Sequence, residues 1–123
     1  MVVAPWTELI VRLDDEDRAK LTAFRDFCRS LGSAEHRVDE RVHKTDIAFA
    51  VKRVFASAYV KSHYLEVGIE LTRTVTTPKP RATVAATKTR TLLRYSLREL
   101  SQFDGAIKGL IREAYEEAVD AAA

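Results

Sequence analysis

Three histidines, a single cysteine and a run of cations are the side chains here that most often bind metals, attack substrates or hold anions. His36 falls in a polar linker and reads as solvated. His43 and His63 stand near the ends of strand-like segments. A tight turn between strands sets His43 opposite Ser62, and a one-residue bulge would set the two imidazoles face to face. A zinc-type site needs a closed set of nitrogen, sulfur or carboxylate donors, and no third ligand accompanies this pair. Neither a metal nor another cofactor is therefore expected. Cys28 recurs with Leu21, Phe24 and Leu31 at helical spacing, which reads as core, not nucleophile. A lone cysteine excludes an intramolecular disulfide and fits a reducing, cytoplasmic setting. No glycine-rich phosphate loop, catalytic carboxylate pair or Ser-His-Asp order is present.

The cations are distributed unevenly. The net charge of +2 divides into −2 for residues 1–36, +8 for residues 37–98 and −4 for residues 99–123. Within the basic middle, "RTVTTPKPRATVAATKT" (Arg73 to Thr89) holds Arg73, Lys79, Arg81 and Lys88 and no acidic residue. Connections of this length without structure of their own are often lids or binding loops, and Pro78 and Pro80 stiffen this one toward an extended path. It reads either as a basic flap for a phosphate or carboxylate, with Lys79 and Arg81 at its centre, or as a solvated loop. Nucleic-acid binding would add aromatic residues for base stacking, and the flap has none. The N-terminus lacks a basic leader segment and no apolar run spans a bilayer, so neither export nor membrane insertion is expected.

The elements that must position these groups are legible from periodicity. Asp14 to Leu31 predicts a helix capped by Asp14, opened by Asp15, Glu16 and Asp17, and closed by Gly32. A second helix is predicted from Gln102 to Ala118, capped by Ser101, with Phe103, Ile107, Leu110, Ile111, Ala114 and Ala118 as its apolar stripe. Between them the period changes to two, predicting strands over 44–51, 54–61, 64–72 and 89–97. With Lys52-Arg53 and Ser62-His63 as tight turns, both hairpins independently put Val54, Ala56, Ala58 and Val60 on one face. The last strand is expected antiparallel to the third, pairing Glu66 with Arg94 and Glu70 with Arg90 and so occupying both arginines.

The expected fold is α+β. A four-stranded antiparallel meander sheet carries the N-terminal and C-terminal helices packed on one face. Residues 1–123 form a single domain, with 1–12 as an N-terminal arm and 119–123 as a frayed tail. The other face is left open, with Ala48, Ser57 and Gly68 at its centre and Phe55, Tyr59 and Leu92 around them. A strand glycine often marks close approach of a ligand or another backbone, and an apolar centre with a polar rim describes an interface. The flap folding over this face, self-association through it and a small-ligand site on it remain open alternatives.

The segments "HKTDIAF", "VFASAYV", "LEVGIEL", "LLRYSL" and "FDGAIKGLIREAYE" occur in this order. In that series the chain resembles, from about Val38 to Ala118, the family of small bacterial domains of unknown function numbered 5655. The resemblance implies an α+β meander fold and no established activity. A looser likeness to bacterial proteins compared with frataxin would imply iron handling, but no acidic ridge runs from the first helix onto the sheet. The reading is a non-enzymatic binding module for a partner or small anionic ligand, with Lys44, Phe55, Ser57, Tyr59, Gly68, Lys79 and Arg81 as ligand-binding residues and a homodimer through the open face. The alternatives are a cryptic or metal-dependent enzyme around His43, Lys44 and Tyr59, and a nucleic-acid-binding accessory domain.

Overall fold

The computed structural model describes residues 5–122. A short helix α1 (Pro5–Ile10) and the long helix α2 (Asp15–Ser30) lead into strands β1 (Asp39–Val42), β2 (Asp46–Val51), β3 (Arg53–Lys61) and β4 (Tyr64–Leu71). Strands β5 (Ala82–Ala85) and β6 (Thr91–Leu97), one 3-10 turn (Leu100–Gln102) and helix α3 (Gly105–Ala122) complete the chain. All strand pairs are antiparallel, in the order β1-β2-β3-β4-β6-β5. The sheet therefore has six strands, not four.

The two added strands lie at the edges. β1, "DERV", has no apolar alternation to announce it, and pairs along β2 from Asp39↔Ala50 to Val42↔Ile47. Arg25 of α2 holds it in place with a two-pronged contact to Glu40, at 2.6 and 3.1 Å, while stacking 4.1 Å from the Trp6 ring of α1. β5 comes from the expected flap. The first half of that stretch runs along α3, where Arg73 meets Glu113 at 2.7 Å and the Thr72 hydroxyl donates to Glu117 at 2.8 Å. Val75 is buried there, and the Tyr95 hydroxyl donates to the Pro78 carbonyl. The second half turns back as β5 against β6. The flap thus widens the sheet instead of folding across the open face, which it touches through Arg81 on Glu66.

One face carries the core. Leu65, Val67, Ile69 and Leu71 of β4 and Leu93, Tyr95 and Leu97 of β6 pack there beneath Leu21, Phe24 and Cys28 of α2 and Ile107, Leu110 and Ile111 of α3. Phe24 sits edge-on to Phe49 at 5.7 Å and contacts Phe103 at 6.2 Å. Burial pushes the Cys28 thiol pKa up, away from any nucleophilic role. Asp14 caps α2 by accepting from the Asp17 amide at 2.8 Å, as its position before three acidic residues requires. Gly32 does not close α2 in a left-handed turn. Leu31 does so in right-handed geometry, and Gly32 lies against Val38, whose amide nitrogen would be 3.2 Å from an added Cβ. α3 starts after Asp104, not after Ser101, because the Asp104 carboxylate accepts from the Ala106 and Ile107 amides. The helix then continues past 118, so residues 119–122 of the expected tail are helical, and residue 123 lies outside the described residues.

Two register findings bear on the site. β3–β4 pair as the alternation predicts, from Val60↔Leu65 to Ala56↔Ile69. β2–β3 pair as predicted only as far as Phe49↔Ala56; the next pair is Ala50↔Val54. Phe55 is the extra residue of a bulge, and a bulge turns the strand beyond it over. Phe55 is therefore not on the open face. It is buried against Tyr115 of α3, with ring centroids 5.6 Å apart, and Val54 takes its place outside.

Candidate functional site on the uncovered sheet face

Among the described residues, no helix covers the second face of β3, β4 and β6. A concavity of about 310 Å³ lies on it, lined by Val54, Ser57, Tyr59, Lys61, Glu66, Gly68, Glu70, Leu92 and Arg94. Each position follows from strand alternation once the bulge is in place: Ser57 stands across from Gly68, and Gly68 from Arg94. Gly68 is the floor, and the reason for glycine is steric. A Cβ there would come 2.9 Å from the Ser57 hydroxyl oxygen and 3.1 Å from Leu92 Cδ1. The two side chains thus lean across the strand and meet above its backbone.

The β4–β6 register differs from the expected one by two residues, which keeps each residue on its face but changes every partner. Glu66 stands opposite Ser96, and Glu70 opposite Leu92. The long connection between these strands supplies no tight turn to pin the pairing, whereas turn geometry fixes a hairpin. Glu66 is claimed by Arg81, next to β5, with Lys61 also at 3.9 Å. The hydrogen bond from Arg81 holds the Glu66 carboxyl below its ordinary pKa, and Arg94 adds a weaker pull. Arg94 itself forms no ion pair among the described residues. The expected occupation of this arginine by a glutamate is not what the sheet adopts. A cation beside two hydroxyls and an apolar wall suits a small anion with an apolar part.

Of the expected ligand-binding residues, Ser57, Tyr59 and Gly68 meet at this concavity. Arg81 reaches it only through Glu66. Lys79 is exposed beyond the sheet end, Phe55 is in the core, and Lys44 lies in the turn between β1 and β2. Lys44 and His43 line a different hollow of about 510 Å³ with Arg12 and Glu8 of the N-terminal segment. Tyr59 is not among the residues that line it; it stands opposite Asp46 in the β2–β3 ladder. The His43 ring is paired instead with Asp46 at 3.1 Å. His63 faces Asp14 at 3.9 Å, so the two histidines have separate partners. Among the described residues, Asp14, Asp17 and His63 bring potential metal-binding atoms within 4.8 Å of one another. Both carboxylates are already engaged, Asp14 by the helix cap and Asp17 by Lys20 at 2.8 Å.

Sequence reasoning missed Val54 as a lining residue, and it set Arg94 on this face but occupied by Glu66. The signal was in the strand itself, since Arg94 alternates with Leu93 and Tyr95, but its partner depended on a register that slips by two without penalty to the faces. Together the helix-backed meander and the bare, concave face define an α+β domain with a surface-exposed pocket. Over residues 16–118 the chain matches the family described as Domain of unknown function (DUF5655), and it belongs to that family. Neither the curated proteins nor the solved structures contain a significant match. Among the described residues no helix is long and apolar enough to cross a membrane.

Proposed function

We propose that this domain is a binding module whose uncovered sheet face takes a small organic anion with an apolar portion. The observation that carries this reading is Arg94, a cation with no carboxylate partner among the described residues, set in a concavity with the hydroxyl-bearing residues Ser57 and Tyr59 and the apolar Leu92 and Val54. The anionic end would pair with Arg94, since a charge-assisted hydrogen bond is about twice as strong as a neutral one. The apolar end would lie on Leu92 and Val54. Lys61, 5.6 Å from the Tyr59 ring centroid, stands at the rim.

A homodimer through this face has less support than the alternation suggests. Its apolar anchor, Phe55, lies in the core, and Ala48 and Ala50 are already buried among their neighbours. The exposed residue left for it is Tyr59. A catalytic reading would start from the histidine–carboxylate pairs His43–Asp46 and His63–Asp14. Thermal denaturation in the presence of phenyl phosphate and benzoate tests the ligand reading. At millimolar concentrations the wild type should gain Tm with either probe, and Arg94→Ala should lose the gain while keeping its own Tm. No gain with either probe, or an equal gain in Arg94→Ala, overturns it.

A further inference from the structure

The two edges of the sheet are unlike. β1 carries Asp39, Glu40 and Arg41 in its four residues, and charged side chains blunt an edge against pairing. β5 reads Ala-Thr-Val-Ala, with no charge, proline or bulge inside it. The helices do not reach it: Thr83, Val84 and Ala85 are exposed, Val84 at 42%. The Ala86 amide donates to the Arg90 carbonyl at 3.0 Å. By the alternation of antiparallel ladders, Val84 and Ala82 then turn their backbone groups toward β6, and Thr83 and Ala85 turn theirs outward. An edge of this kind is a template for another strand.

Charge selects the occupant. Between Glu70 and Glu99 the chain has no acidic residue. Two of its cations are satisfied internally, Arg73 by Glu113 and Arg81 by Glu66. Lys79 and Lys88, on either side of β5, form no ion pair among the described residues, and Arg90 Nη1 is buried with no hydrogen-bond partner there. A second copy of β5 would bring a second uncompensated basic stretch alongside, which like-charge repulsion disfavours. We propose that β5 accepts an extended acidic segment of a partner protein as a seventh strand, with carboxylates flanking the strand at Lys79 and Lys88. This edge is separate from the concavity on the sheet face, so the proposal stands independently of the ligand reading.

The test uses the full chain and a capped peptide of alternating Glu and Val, with a Lys/Val peptide and single-stranded oligothymidylate as comparison probes. The acidic peptide should bind, and hydrogen exchange at the Thr83 and Ala85 amides should slow on its addition. Ala85→Pro removes an outward donor without touching the β5–β6 ladder and should weaken binding at least about tenfold. The double variant Lys79→Glu, Lys88→Glu, which leaves the edge backbone intact, should weaken it by a similar factor and flatten its salt dependence. Unchanged exchange at Thr83 and Ala85, equal binding of the Lys/Val peptide, or tighter binding of the oligonucleotide would each overturn the proposal. So would sedimentation showing a dimer that Ala85→Pro disrupts.

Discussion

Strand β4 shows both faces of this sheet in eight residues. Leu65, Val67, Ile69 and Leu71 point toward the helices, and Glu66, Gly68 and Glu70 point away. Both rows are largely buried, but by different means. The first is buried under α2 and α3, whose aromatic and aliphatic side chains are fixed by packing. In the second, Glu66 is only 8% exposed because Arg81 and Lys61 reach over it, and Gly68 is buried where Ser57 and Leu92 meet above it. Those covers are side chains with rotamers to spare, and a ligand can move them at far smaller cost than a helix. The difference separates a face that holds the fold from a face free to bind.

The comparison is broken most severely on the helix side. Val67→Arg places an unpaired charge in the core and should leave no folded protein, as read by circular dichroism and urea melts. Phe55 tests which side the bulge assigns it to. Phe55→Ala should cost about 3–5 kcal/mol in urea denaturation, the range for a buried phenylalanine. A loss near zero would return the residue to the outer face. Lys20→Met should cost about 3–5 kcal/mol, the range for removing one member of a buried ion pair. Lys20 is 2% exposed, donates to the Arg98 carbonyl at 2.7 Å and pairs with Asp17, so it ties α2 to the end of β6.

On the outer side the effects shrink. Gly68→Ala must displace Ser57 and Leu92, both able to rotate, and should cost about 1 kcal/mol. Glu66→Gln is read as a slope. The folded-state pKa of Glu66 lies below its ordinary value, so its contribution is whole above the ordinary glutamate pKa of about 4.3 and is lost as pH falls through the lowered value. The variant should therefore lower the neutral plateau and flatten the acid side of the stability profile, its difference from the wild type shrinking as pH falls.

How much of this was readable from residues depended on what each residue had to signal. The β3–β4 hairpin was readable because Val60, Ala58 and Ala56 must face Leu65, Val67 and Ile69 for either strand to reach a core. The bulge was not, because the left-handed residue at its turn is Lys52, with φ 63°, where a glycine or asparagine would have announced it. β1 and β5 are four residues each and lack a buried row, so periodicity had nothing to register. Lys20 reads as a surface lysine until the carbonyl of Arg98, 78 residues away, is brought to it. The centre of the candidate site, Ser57, Tyr59 and Gly68, came from alternation, as did the face of Arg94, while the absence of a glutamate opposite Arg94 required the observed β4–β6 register.

The division into a holding face and a binding face is tested most directly by an amide chemical-shift map of the wild-type protein titrated with phenyl phosphate. Saturable shifts confined to Ser57, Tyr59, Gly68, Leu92 and Arg94, with the amides of α2 and α3 unmoved, are the predicted result. Shifts centred on Arg12, His43 and Lys44, or none at millimolar probe, would contradict it.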